Sequence, residues 1–282
     1  MNKLTLAFSP CPNDTFMFDG LVSGWMDTGD LQFEVQLADV EQLNQMARKG
    51  LPDITKISFS NYPAISDRYL ILDSGSAMGN GCGPLLISLK EFSLNETDHL
   101  SIAIPGKFTT ANLLLSIFFP EAKKKTEMIF SAIEGEVLNG NYDAGLIIHE
   151  NRFTYASRGL KKIADMGVCW EEQTGTPVPL GCIVIKREFG SEVHQLVNQL
   201  IRESIRMAME NPDRTMPYVK KHAQEMEEHI MKQHIDLYVN KFSLDLGAEG
   251  RRAVELLFNK GREHGLLPDV VRPVFMSAAT DK

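Results

Sequence analysis

Cysteine is scarce in this chain, with four in 282 residues, at Cys11, Cys82, Cys169 and Cys182. They are scattered and form no C-x-x-C pair, which argues against a disulfide-stapled secreted domain and against a cysteine-based zinc site. All four are expected to be reduced, in the core or in loops. Long apolar runs are also missing. No stretch approaches the ~20 residues of a membrane span. The first apolar run, residues 4–8, is broken by Pro10, Pro12, Asn13 and Asp14, short of the ~7–15 apolar residues of an export signal. A lipid-anchored start at Cys11 would want small residues where Phe8 and Pro10 stand. The chain is therefore expected to begin near Met1, to stay in the cytoplasm and to have no membrane partner.

Positive charge is in deficit, with 29 Lys and Arg against 37 Asp and Glu, a formal net charge of -8. Nucleic acid is excluded as a main partner, because affinity for phosphate backbones needs a concentrated basic surface. A small anionic molecule needs only one local site. Several catalytic signatures are absent: the HExxH zinc pair, the Gly-x-Ser-x-Gly elbow, the dinucleotide fingerprint and the phosphate-binding P-loop. No metal and no cofactor is expected, so either cofactor-free chemistry or plain binding remains.

What is present is enough apolar sequence, 43%, to bury a sizeable core in one large or two modest domains. The first part alternates strand and helix: strands at 4–8, 33–37 and 53–57, helices at 15–25, 40–49 and 59–66. Asp39 is placed to cap the second helix and Gly50 to close it. Such βαβ repetition implies a parallel sheet with helices on both faces. A glycine- and proline-rich run at 79–89 then marks a crossing. A second series follows, with strands at 100–104, 127–130 and 144–148 and helices at 109–119 and 133–139. Another crossing at 174–181 leads into a strand at 182–185. From residue 191 to the end the apolar spacing is helical, as in Val193, Leu196, Val197, Leu200, Ile201 and Ile205. The expected fold class is α/β with two lobes: residues 1–88 plus 186–282 form the larger, with a helical C-terminal part, and 89–185 the smaller, inserted lobe. In such molecules the ligand sits in the cleft at the carboxyl ends of the strands.

Polar residues gather at four strand ends. In Ser9-Pro10-Cys11-Pro12-Asn13-Asp14-Thr15-Phe16 two prolines stiffen the loop, and Asn13 or Asp14 either caps the next helix or faces a ligand. In Thr55-Lys56-Ile57-Ser58 the lysine either lies on the surface or holds a carboxylate, and Ser58 can cap, bind or do both. In Pro105-Gly106-Lys107-Phe108-Thr109-Thr110 a helix start offers free N–H groups to an anion, with Thr109 either a simple cap or, with Thr110, a hydroxyl donor. The apolar run 144–148 ends in His149-Glu150. His149 is either a structural histidine or a general base, since imidazole titrates near neutral pH. The other histidines have no such setting: His99 falls in a loop, and His194, His222, His229, His234 and His264 in the charged helical tail.

These motifs together resemble the 1,4-dihydroxy-6-naphthoate synthase family of menaquinone biosynthesis by the futalosine pathway. The opening motif Ser9 to Phe16 carries the resemblance first. It continues through Thr55-Lys56-Ile57-Ser58, Gly81-Cys82-Gly83-Pro84-Leu85, the Pro105 to Thr110 motif, Ile147-Ile148-His149-Glu150-Asn151-Arg152-Phe153-Thr154-Tyr155, Pro177-Val178-Pro179-Leu180-Gly181 and Tyr238-Val239-Asn240-Lys241-Phe242-Ser243-Leu244. They stand in family order across most of the chain. The resemblance implies a two-lobed, type 2 periplasmic-binding-protein-like fold. It also implies a lyase that cleaves cyclic dehypoxanthine futalosine to 1,4-dihydroxy-6-naphthoate and a sugar-derived fragment, without metal or redox cofactor. His149 falls on the proton acceptor, and Lys56, Ile57, Ser58, Thr109 and Thr110 on substrate contacts; Asn13 is expected beside them in the cleft. Cys82 and Cys182 depart from the small or apolar residues expected at their positions. A non-catalytic solute-binding protein would share the fold, and so would the sibling enzyme that dehydrates chorismate, against which the opening motif argues. Oligomeric state stays open between monomer and homodimer.

Overall fold

The alternating apolar residues Leu4, Leu6 and Phe8 are buried and build an inner strand of one sheet. The computed structural model describes residues 2–223 and 227–276. Strand β1 (Asn2–Phe8) pairs in parallel with β2 (Leu31–Leu37) and β3 (Ile54–Ser58). β4 (Tyr69–Ile71) and β5 (Ala77–Gly79) follow, then a second sheet of β6 (Leu85–Ser88), β7 (Ile102–Ile104), β8 (Lys125–Glu127), β9 (Ala144–Ile147) and β10 (Lys161–Asp165). β11 (Val178–Lys186) returns to the first sheet. The orders are β2-β1-β3-β11-β4, with β5 also on β11, and β10-β6-β9-β7-β8.

The helices bridging these strands are α1 (Pro12–Val22), α2 (Val40–Arg48), α3 (Thr110–Phe118), α4 (Ile133–Leu138), α5 (Asn151–Thr154) and α6 (Met166–Thr174). After β11 come α7 (Gly190–Glu210), α8 (Pro212–His222), α9 (Glu228–Tyr238), α10 (Lys241–Leu244) and α11 (Gly247–Glu263). Asp39 caps α2 as its position implied, accepting from the Glu41 N–H at 2.9 Å, while Gln42 returns the bond to Asp39 N. The periodic face of α7, including Val197, Ile201 and Ile205, packs with Leu4, Leu6 and Phe8 of β1 in one apolar cluster.

Both sheets are mixed rather than purely parallel. β11 runs antiparallel to β3, and β6 antiparallel to β9. Sheet membership also differs from the expected boundaries. β6, expected in the first lobe, pairs with β9 and β10; β11, expected to end the inserted lobe, pairs with β3, β4 and β5. The chain therefore changes sheets at 80–84 and 166–177, because the strand following each glycine- and proline-rich run belongs to the sheet it enters. The expected strand at 127–130 lies at Lys125–Glu127, and the helix at 59–66 is a 3₁₀ segment, Phe59–Ile65, containing Pro63. Helix ends at Glu263; residues 264–276 run back along the first sheet, with a bridge between Ile71 and Phe275. The end of the expected helical tail, 277–282, lies outside the described residues.

The two crossings touch. A Cβ on Gly83 would lie 2.1 Å from Gly167 N and 2.3 Å from its Cα. Both obstacles are backbone, and Met166 N donates to Pro84 O at 2.9 Å across the same contact. Gly83→Ala is therefore expected to exceed the ~1–3 kcal/mol of ordinary overpacking and to lower Tm by about 5–10 °C. Gly135→Ala, in α4 with nothing within 4 Å of the added carbon, is the control, expected to hold or raise Tm. Equal melting of the two variants would show that the crossings give way.

Candidate active site

The parallel strands β1, β3, β7 and β9 all end toward one cavity, and the antiparallel β6 and β11 enter from it. Register fixes this: Gly181 of β11 lies opposite Ser58, and Leu85 of β6 opposite Ile147. The cavity is partly open to solvent and, counting its mouth, encloses about 650 Å³ of atom-free space. Its wall includes Asn13, Lys56, Ile57, Ser58, Thr109, Thr110 and His149, so the residues singled out at four separate strand ends meet here. Ser9, Asp14, Cys82, Leu180 and Tyr238 join them.

Their individual settings differ from several expectations. Neither Asn13 nor Asp14 caps α1; the N-cap is Cys11, without a side-chain cap bond, and Pro12 starts the helix. Lys56 is not on the surface. Its side chain is 5% exposed, pairs with Asp14 Oδ1 at 3.1 Å and donates to Gly75 O at 2.7 Å. Asp14 Oδ2 accepts from Ser9 Oγ at 2.7 Å. Charge and countercharge thus enter the dry interior together, which is the condition for burying either. Ser58 makes no side-chain cap bond; its hydroxyl accepts from Asn44 Nδ2 at 3.1 Å, leaving its own proton to the cavity.

Thr109 does cap α3, accepting from Asn112 N at 3.2 Å and donating to Gly106 O at 2.8 Å. Thr110 donates to Leu180 O at 2.7 Å and accepts from Ser60 N at 3.2 Å. Both hydroxyl protons are spent on protein acceptors. The first backbone N–H groups of α3, which have no intrahelical acceptor, open at the same helix start. The same loop ties the sheets together. Phe108 N donates to Glu41 Oε2 at 3.0 Å, Ser60 Oγ donates to Phe108 O at 2.6 Å, and the Arg48 guanidinium lies 3.6 Å from the Phe108 ring centre.

His149 stands apart. Its φ of 60° is the only positive value at a non-glycine residue among the described residues, an uncommon conformation. The Phe130 ring meets it edge-on at 4.8 Å, and the His234 ring stacks at 5.9 Å. Its Nε2 is buried, with no hydrogen-bond partner among the described residues. His234, set aside by sequence as part of the charged tail, is fully buried and bonds through Nε2 to Asn13 Oδ1 at 2.8 Å. A signal existed: Ile230, Met231, His234, Ile235 and Tyr238 share one buried face of α9.

Cys11, His149 and Glu150 each bring one ligand atom within 4.8 Å of the others. Burial pushes the Cys11 thiol far up from its usual range, with Glu150 and Asp14 adding to the rise. The other thiols are also held protonated: burial pushes Cys82 up to about 12 and Cys182 well above its usual range.

Glu41, at the seam between the sheets, has a carboxyl raised by burial to about 6. The folded chain therefore binds a proton there more tightly than the unfolded chain, whose carboxyl titrates near 4.5. Stability on this account falls as pH rises from about 4.5 to about 6 and is level above. Glu41→Gln has no such dependence. Its Tm relative to the native protein is expected to rise between pH 4.5 and pH 7; a difference independent of pH would remove Glu41 from that window.

The comparisons with known proteins follow this geometry. The family model described as menaquinone biosynthesis matches residues 4–263. A 1,4-dihydroxy-6-naphthoate synthase of Thermus thermophilus is 41% identical over 276 residues, 98% of this chain and 100% of that protein. A crystal structure of an Archaeoglobus fulgidus protein superposes with a TM-score of 0.89 at 36% identity, covering 94% of this chain and 98% of that one. The alkanesulfonate-binding protein of Xanthomonas axonopodis, bound to MOPS, gives 0.73 at 13% identity, covering 98% of both chains, a likeness of fold alone. The architecture is periplasmic-binding-protein-like, and the chain belongs to the menaquinone-biosynthesis family.

Proposed function

We propose that the chain is a 1,4-dihydroxy-6-naphthoate synthase, a cytoplasmic carbon–carbon lyase. It would cleave cyclic dehypoxanthine futalosine to the naphthoate and a sugar-derived fragment without metal or redox cofactor. The observation that carries the reading is His149. A residue in an unusual backbone conformation turns its ring to the cavity wall, and its buried Nε2 has no protein partner among the described residues. An unpaired nitrogen in a dry wall costs stability unless something else uses it. A substrate proton is that use, and the 41% identity to a naphthoate synthase supports the choice.

The remaining groups orient. The substrate carboxylate meets the N-terminus of α3, where backbone N–H groups and the helix dipole favour an anion. Ser58 offers a hydroxyl proton, and Ile57 and Leu180 supply apolar wall for the ring system. Lys56 adds its remaining N–H, while its charge is balanced by Asp14. His149 accepts one proton as the bond breaks, and formation of the aromatic product drives the step forward. The chain's contribution is orientation, exclusion of water and one proton transfer.

Incubating pure protein with the cyclic futalosine derivative and following the naphthoate by absorbance tests the activity. His149→Asn keeps shape and some hydrogen bonding but cannot take the proton. Its kcat is expected to fall about 10²–10⁴-fold with folding and substrate binding intact, and the acidic limb of the pH profile should vanish. Tight binding of the substrate by the native protein without turnover would favour a solute-binding protein instead. Near-native turnover by the Asn variant would move the base elsewhere.

A further inference from the structure

A buried polar chain runs behind His149, and counting its donors fixes where each proton sits. Asp14 is ionised against Lys56, and the Asn13 amide donates to its Oδ1 at 2.9 Å. A carboxylate only accepts, so Asn13 must turn its carbonyl oxygen to His234 Nε2, 2.8 Å away. That oxygen requires a hydrogen, so His234 carries its proton on Nε2. Burial and the neighbouring His149 ring push His234 well below the usual histidine range. The ring is neutral, and its Nδ1 presents a lone pair.

Glu150 Oε2 faces that lone pair at 3.7 Å. Glu150 is 6% exposed, and neither facing atom has a hydrogen-bond partner among the described residues. Two bare acceptors set against each other in a dry site repel; a proton between them turns the contact into a hydrogen bond. The other titratable groups around Glu150 include His149 and Cys11 beside it, Glu134 from α4, and Tyr238 from α9. The two nearby guanidinium groups are each engaged by another carboxylate, Arg152 by Asp165 at 3.1 Å and Arg158 by Glu134 at 2.9 Å, and neither forms an ion pair with Glu150.

We propose that Glu150 stands in the resting protein as an uncharged carboxylic acid, its proton directed to His234 Nδ1, and that it is a positioning residue for His149. Resting on the reading of His149 as base, the consequence is electrostatic. An ionised carboxylate within 4.8 Å would stabilise the imidazolium and load the base with a proton before substrate arrived. The uncharged acid leaves His149 free to accept.

Two substrate-free measurements test the protonation. In ¹⁵N-histidine-labelled native protein at pH 7, His234 should show a neutral ring protonated at Nε2. The infrared difference between native protein and Glu150→Gln should contain the carbonyl stretch of a protonated carboxyl. An imidazolium signature at His234, or no such carboxyl band, overturns the proposal whatever the substrate proves to be. In turnover, Glu150→Ala should lose on the order of tenfold in kcat/KM. Glu150→Gln, whose amide can donate to Nδ1, should recover most of that loss and keep the acidic limb in place. If Glu150 were charged, the Gln change would shift that limb about one to two pH units lower, which also sinks the idea. A protein that passes the spectroscopic tests yet fails to turn over the cyclic substrate would overturn only the proposed activity.

Discussion

The contact between Gly83 and Gly167 is the constraint on which the rest of the architecture turns. The chain leaves the first sheet at 80–84 and comes back at 166–177, and both passages cross at a point where backbone meets backbone. A side chain at either position would push the passages apart. Since β6 starts and β10 ends next to this crossing, and β11 re-enters the first sheet soon after, both sheets are anchored with their cavity-side ends together. Polar residues at those ends then have one place to point. The loop at 105–110 completes the seam, because Phe108 and Thr110 make hydrogen bonds to the first sheet's side that no isolated second lobe could make.

Much of this was legible in the sequence because strand ends are local features. An apolar run followed by Ser-Pro, Lys-Ile-Ser or His-Glu announces its own termination, and βαβ order tells which ends face together. Asn13, Lys56, Ser58, Thr109, Thr110 and His149 could therefore be named without knowing any contact. What could not be read was pairing. Whether Lys56 lies outside or inside depends on Asp14 being 3.1 Å from it, and nothing local states that distance. The exchange of β6 and β11 between sheets failed for a similar reason. A glycine-rich run marks a crossing, but the strand beside it is equally apolar whichever sheet receives it. His234 was hidden by composition: α8 and the start of α9 are rich in charge, while the buried stripe of α9 shows only at helical spacing.

The threonines line the cavity, and their hydroxyls also serve the fold. A hydroxyl at a helix start looks like a ligand donor, but folding needs that hydroxyl first. Thr109 closes the open end of α3, and Thr110 reaches across to Leu180. What their position delivers to the cavity is the helix terminus itself, held still by both bonds. Backbone N–H groups fixed in this way cost no reorganisation when an anion arrives, whereas a free hydroxyl would first have to be ordered.

Electrostatic balance then separates the paired groups of the cavity from His149. Asp14 is answered by Lys56 and Ser9, and Asn13 by Asp14 and His234. Asp14, Lys56, Ser9 and Asn13 are thus tied to one another, and Asn13 in turn to His234 Nε2. His149 has none of these bonds at Nε2 among the described residues, and its ring meets those of Phe130 and His234. In a chain of net charge -8, a second carboxylate left ionised behind it would favour the protonated ring. The matched network on one side and an uncharged neighbour on the other therefore serve the same end. They leave the Nε2 of His149 at the cavity wall without a hydrogen-bond partner among the described residues.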